Sequence, residues 1–333
     1  MRVWMLALSL LLATHAVRAA DACPGLRSQQ SAGDPATRIA AVACNEHIVW
    51  YRPFIDRDGR IASTTVTEAE DSLLGDGYSE AWRRVVGYWR ESGLLRQVGG
   101  SPGASACAHG GSATPLPSCR GFVIDTPWSA AFVSWVMVKA GLPGFRPSAS
   151  HIDYVRAAAV HPHDSAYQFL DPATARPAAG DLLCYVRVPG QVYGFEGLLA
   201  AVHADGNGLQ MHCDIVVATN PGNDATAYLI GGNVQQGVTM RLLPLNRNGL
   251  LWALPRTSTG ASTCSPDNED ACNLNRQDWA VLLKLKPAAV LAELPPPVRP
   301  LPTSILPAIS TPACCVNCVV GSGVPRCPRP PAP

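Results

Sequence analysis

Residues 125–143 read DTPWSAAFVSWVMVKAGLP, and this stretch decides the fold. Pro127 opens a helical run that Gly141 and Pro143 close, so Pro127–Ala140 predicts a helix that is apolar all round. Such a helix belongs inside a core. Ser129 falls in its first turn, where backbone N–H groups lack intrahelical acceptors and the positive dipole end faces outward. A nucleophile gains there, because developing negative charge is stabilised and nearby amides can form an oxyanion hole. Taken alone, Ser129 reads better as a simple cap on a core helix.

Downstream, Gly180–Val188, Gly197–His203, Met211–Thr219, Thr226–Ile230 and Val238–Leu243 read as strands parted by turn residues. Trp279–Lys286 adds one more strand or helix. Upstream, Glu80–Leu95 has helical spacing at Trp82, Val85, Val86 and Trp89, and Asp153–Val160 reads as a second short helix. Helices followed by strands on short turns predict an α+β fold, with N-terminal helices packed on an antiparallel sheet. The remaining segments are weaker. Asp21–Arg38 reads as loose, His47–Ile61 as a strand, a turn at Arg57–Gly59 and a return, and Gly99–Cys119 as a long loop. The expected organisation is a signal peptide (1–19), an N-terminal extension (20–79), the domain (80–254), its C-terminal extension (255–286) and a proline-rich disordered tail (287–333).

The chain has 333 residues, 47% of them hydrophobic, which suffices for a sizeable core. Its formal charge of +1 gives no electrostatic reason to expect nucleic acid as a partner. At the N-terminus, Arg2, the apolar run Trp4–Ala13 and the small-residue pattern Val17-Arg18-Ala19 read as a signal peptide, cleaved after Ala19 or next after Ala20. A lipoprotein signal ending at Cys23 fits poorly, since Arg18 and Asp21 interrupt the apolar run, and no internal stretch is long and apolar enough to span a bilayer. A periplasmic or secreted location is expected. Twelve cysteines agree with an oxidising compartment. Short loops favour Cys107–Cys119 and Cys264–Cys272 as bridges, and an antiparallel neighbour would set Cys184 opposite Cys213. Cys184 as a reactive thiol is the lesser reading, because it lies in a strand and not at a helix start. The tail cysteines Cys314, Cys315, Cys318 and Cys327 have no histidine near them. His109, His151, His161, His163 and His203 are scattered without metal-ligand spacing, so neither a metal nor any other cofactor is expected.

Met211-His-Cys-Asp-Ile215 supplies the context that Ser129 needs. Side chains alternate along a strand, so His212 and Asp214 share one face and Cys213 takes the other. His212 is the candidate general base for Ser129. Asn233, in Ile230-Gly-Gly-Asn-Val234, or Asp214 would orient the imidazole. Asp125 and Trp128 flank the expected cleft as candidate substrate contacts, although core packing serves Trp128 equally.

The order Pro-Trp-Ser129-Ala-Ala-Phe-Val-Ser-Trp135, Gly180-Asp-Leu, His212-Cys-Asp-Ile-Val-Val217 and Gly231-Gly-Asn233 resembles the CHAP and NlpC-type cysteine peptidases and amidases. More closely, it is similar to the bacterial family called domain of unknown function 2272. The resemblance covers about Ala81 to Leu251 and implies a papain-like fold and a cell-wall peptide or glycan as substrate or ligand. Two departures stand out. Ser129 occupies the position of the catalytic cysteine, which the resemblance implies is usual in this family. Gly231 stands where many CHAP sites carry Glu. A hydroxyl does not ionise as a thiol does, so Ser129 would need a histidine to take its proton during attack. Three functions follow as expectations: a cell-envelope hydrolase of amide or ester bonds, a catalytically silent module that binds peptide or wall fragments, and a structural envelope protein that uses its tail.

Overall fold

The computed structural model describes residues 21–108, 117–204, 208–251, 254–258 and 264–297. The expected signal peptide, His109, Trp252, the tail from 298 onward and its four cysteines lie outside the described residues.

Nine α-helices occur among the described residues: α1 (Cys23–Leu26), α2 (Pro35–Val49), α3 (Ala81–Glu91), α4 (Ala104–Ala108), α5 (Pro117–Asp125), α6 (Ser129–Lys139), α7 (His151–Val160), α8 (Gly194–His203) and α9 (Ala288–Leu291). The strands are β1 (Phe54–Ile55), β2 (Ile61–Ser63), β3 (Tyr167–Leu170), β4 (Leu182–Val186), β5 (Met211–Thr219), β6 (Thr226–Val234), β7 (Gly237–Pro244) and β8 (Asp278–Leu285). They form one eight-stranded sheet in the order β2-β1-β7-β6-β5-β4-β8-β3. Every pairing is antiparallel except β1 with β7. The fold is α+β.

The central helix is as apolar as its sequence demands: Ser129 through Met137 are all buried in α6. It packs on β6 and β5 together with α2 and α3. Close approach depends on Gly232, where a Cβ would lie 2.4 Å from Phe132 Cβ. Period-two alternation then sorts the sheet into two faces. Cys184, Cys213, Ile215 and Ile230 join the core around α6. Leu183, Tyr185, Val216, Leu229 and Trp279 form a second core on the opposite face.

Several sequence expectations need correction. Asp21–Arg38 is ordered into α1 and the start of α2, where the Asp34 side chain accepts from Thr37 N at 2.9 Å and Pro35 occupies the first turn. This helix continues through His47, so the expected strand begins only at Phe54. Gly99–Cys119 is not one loop, since α4 and the start of α5 fall within it. Gly197–His203 is helical and belongs to α8, which buries Leu198 and Val202 one turn apart. The cap that selects this helix is remote: the Asp278 carboxylate accepts from Tyr193 N at 2.7 Å and Gly194 N at 2.9 Å. The stretches read as extensions, 20–79 and 255–286, contribute α2 to the core and β8 to the sheet between β4 and β3.

Four disulfides tie the described residues: Cys23–Cys44, Cys107–Cys119, Cys184–Cys213 and Cys264–Cys272. Cys184 and Cys213 face each other directly across β4 and β5. Four bridges are consistent with an extracytoplasmic protein. Among the described residues, no single helix is long and apolar enough to cross a membrane.

The packing generates two predictions. Gly232→Ala drives a methyl group into Phe132 and should cost about 1–3 kcal/mol in urea unfolding. Gly25→Ala, where a Cβ meets nothing within 4 Å, should be close to neutral; equal stability of the two variants contradicts the contact. The second concerns His47 on α2, whose Nε2 donates to Pro53 O at 2.9 Å while Nδ1 is buried without a partner. Burial lowers its pKa to about 4. A depressed imidazole leaves stability intact above the unfolded value of about 6.5 and loses it as the pH falls from there towards the folded value. The loss should reach about 3 kcal/mol, and His47→Gln should flatten the stability–pH profile between those limits. A variant that tracks the wild type through this window would contradict the assignment.

Candidate functional site

Ser129 is the first residue of α6 and His151 the first of α7. The two helix starts meet, and Ser129 Oγ lies 2.7 Å from His151 Nε2. The other ring nitrogen of His151 shares a hydrogen bond with the Tyr154 hydroxyl. With the proton on Nδ1, donated to Tyr154, Nε2 presents a lone pair to the serine hydroxyl. Burial depresses the His151 pKa well below 6.5, and the neighbouring charge of His212 and that of Arg187 push the same way, against Asp214. The imidazole is therefore neutral at physiological pH. Tyr154 stays a neutral phenol, because burial raises its pKa well above 10.

The histidine on the serine is thus His151, and not the His212 that strand alternation selects. His212 and Asp214 do share a face, as expected, but it is the face of Tyr185, opposite the α6 packing. The His151 ring stands beside that of His212, with centroids 5.2 Å apart. His212 Nε2 lies 2.8 Å from Asp214 Oδ1, and Asp214 Oδ2 accepts from Arg241 Nε at 3.0 Å. Burial alone would raise the Asp214 pKa, but the charges of His212 and Arg241 and their hydrogen bonds outweigh it and hold the carboxyl at about 2. The buried Asp214–Arg241 ion pair is costly to desolvate, so it is weak evidence for stability and better evidence for a site. The glycine at 231 makes room for it: a Cβ there would lie 2.0 Å from Asp214 Oδ1 and 3.0 Å from His212 Nε2. No larger residue fits, a glutamate least of all, and Asp214 supplies the carboxylate from the adjacent strand.

Asn233 does not orient the imidazole. Its side-chain N–H donates to Glu68 Oε2 at 3.1 Å, and the same oxygen accepts from Trp128 Nε1 at 2.7 Å. Trp128 is fully buried, stacked on Trp50 and Tyr88, and anchors the helix instead of contacting substrate. Asp125 is exposed at the end of α5. Glu68 was missed, and no local signal marks it. It lies before α3, is 6% exposed, and its backbone N–H donates to Gln236 O at 2.8 Å. One residue thereby ties the tryptophan before Ser129 to the hairpin that carries Asn233. That hairpin turns at Gln235 and Gln236, both with positive φ (52° and 60°), a conformation that favours Gly or Asn. Local strain held by an outside contact is a mark of functional segments.

A cavity of about 320 Å³ opens beside His212, walled by Tyr185, Arg187, Asn233, Gln236 and Arg241. Among the described residues, no group of three or more His, Cys, Asp or Glu side chains could hold a metal ion.

Residues 76–285, more than half of the chain, match the family described as "Uncharacterized protein conserved in bacteria (DUF2272)". The chain belongs to this family. No curated protein matches it, and no solved structure does. The DUF2272 region contains Ser129, His151, His212, Asp214, Asn233 and Arg241, whereas Glu68 precedes it.

Glu68→Ala strips two donors of their acceptor, Trp128 Nε1 being fully buried, and should cost about 1–3 kcal/mol in chemical denaturation. Glu68→Gln, which keeps an acceptor oxygen, should recover part of that loss. Indistinguishable behaviour of the two variants and the wild type would remove Glu68 from the site.

Proposed function

We propose that this DUF2272 protein is a serine-dependent hydrolase of amide or ester bonds in the cell envelope, built on a papain-like scaffold. The observation that carries the reading is the 2.7 Å contact between Ser129 Oγ and a neutral, buried imidazole. Ser129 attacks the carbonyl carbon as His151 Nε2 takes its proton. The negative charge that gathers on the carbonyl oxygen is met by the free N–H groups at the start of α6. His151 returns the proton to the departing amine or alcohol, which leaves an acyl-serine. Water then attacks that ester and gives a proton to His151, which passes it to Ser129 Oγ as the acyl group departs as a carboxylic acid. His212, fixed by Asp214, lies between His151 and the open cavity and supplies the second imidazole of the site.

The similarity of the Trp128–Trp135, His212–Val217 and Gly231–Asn233 segments to CHAP and NlpC-type enzymes supports cell-wall peptide or amidated glycan as the substrate class. An N-terminus that reads as a signal peptide and four disulfides support its encounter outside the cytoplasm. One observation favours the second reading, a catalytically silent module for peptide or wall fragments: Ser129 and His151 are only 7% and 4% exposed.

A fluorophosphonate probe separates the two. Under the hydrolase reading the wild type is labelled, Ser129→Ala abolishes labelling, and His151→Asn slows it by about 10²-fold or more. His212→Asn should have a smaller effect on the labelling rate. Labelling that survives Ser129→Ala would sink the nucleophile assignment, and a wild type inert to the probe would leave the binding reading in place.

A further inference from the structure

The cavity beside His212 has a lopsided electrostatic lining. Its lining includes Arg187 and Arg241 and the amide-bearing residues Asn233, Gln235, Gln236 and Gln277, and none of the described residues that line it is acidic. Arg241 is already answered, since it is 3% exposed and bound to Asp214, Asn275 and the Leu274 carbonyl. Arg187 is not. It follows directly after β4, is exposed, and its guanidinium has no hydrogen bond or ion pair among the described residues. Its backbone alone is bound, donating to Gln210 O at 2.8 Å, which fixes the root of the side chain at the cavity wall. Gln235 and Gln236 are held at the rim by the hairpin turn, where both are left-handed, and Glu68 N–H clasps the Gln236 carbonyl.

His212 links this cavity to the reacting groups. It forms part of the cavity wall and stands beside His151, which touches Ser129. On the other side, Asn233 connects through Glu68 to Trp128, the residue before the serine. A substrate whose carbonyl sat at Ser129 and that ran past His212 would meet Arg187. The planar guanidinium, with five donors and no acceptor, matches a carboxylate and gives nothing to a second cation.

We propose that the cavity is a carboxylate subsite, in which Arg187 binds the free carboxylate of a peptide whose acyl carbonyl lies at Ser129. The inference rests on the hydrolase reading for the placing of the scissile bond, but the binding it predicts requires no chemistry. Under it, the protein prefers peptides with a free carboxyl group next to the bond attacked over peptides blocked as amides. Arg187 is a specificity-determining residue, and Arg241 a positioning residue that acts through Asp214.

The test uses the full chain carrying Ser129→Ala, so that no turnover intervenes, and isothermal titration with N-acetyl-dialanine and its C-terminal amide, each in L,L and D,D form. At least one carboxylate form should bind about tenfold more tightly than its amide, as one charge-assisted contact provides. Arg187→Gln should erase that difference while leaving the melting temperature unchanged, because the side chain is exposed. The preference should also weaken with salt. Equal affinity for acid and amide, a preference that survives Arg187→Gln, or no binding of any of the four peptides overturns the proposal. Failure of fluorophosphonate labelling in the wild type would instead remove the hydrolase reading and leave the titration result standing on its own.

Discussion

Everything at this site depends on an imidazole that burial keeps uncharged. A thiol nucleophile is served by a histidine that readily becomes charged, because the resting state is an ion pair. A hydroxyl is served by the opposite, a neutral ring whose lone pair waits for a proton until attack begins. His151 meets the second requirement. It is buried, it stands at the start of a helix where the dipole disfavours positive charge, and it faces a second histidine. Under the proposed hydrolase reading, serine in place of cysteine and an uncharged imidazole beside it belong to one arrangement.

The sheet explains why two histidines are present and why they differ. Alternation sends His212 and Asp214 to the face of Tyr185 and Trp279, away from α6, so His212 takes its orientation from Asp214 and Arg241. His151 reaches the serine from a helix. The two successive glycines of β6 are needed for opposite reasons on opposite faces. Gly232 lets Phe132 of α6 approach the strand, and Gly231 lets the Asp214 carboxylate cross over it. Asn233 then leaves the ladder with positive φ and hands its amide to Glu68. What reads as a turn motif is a pair of close contacts followed by an anchor.

The parts of this architecture that were legible in the chain are those set by local pattern. α6 announced itself through an unbroken apolar run between Pro127 and Gly141, and β5 occupies the very stretch, Met211–Thr219, that its residues suggest. The Cys184–Cys213 bridge followed from two neighbouring strands. Asp34-Pro35 is a readable helix start, an N-cap acceptor followed by a first-turn proline. Other features had no local signal. α8 is selected by a cap from Asp278, Glu68 reaches the site from outside the matched region, and the His151–Ser129 contact depends on how two helix starts meet in space. Strand alternation correctly paired His212 with Asp214 but carries no information about which face of the sheet a nucleophile on α6 will use.

The most direct test of the account is the ¹⁵N spectrum of the His151 ring near pH 6.5, assigned by comparison with His151→Asn. The account predicts a neutral imidazole with its proton on Nδ1 and a lone pair on Nε2, directed at Ser129. A protonated ring at that pH, or a neutral one with the hydrogen on Nε2, would mean that His151 cannot take the serine proton, and the proposed chemistry would fail with it.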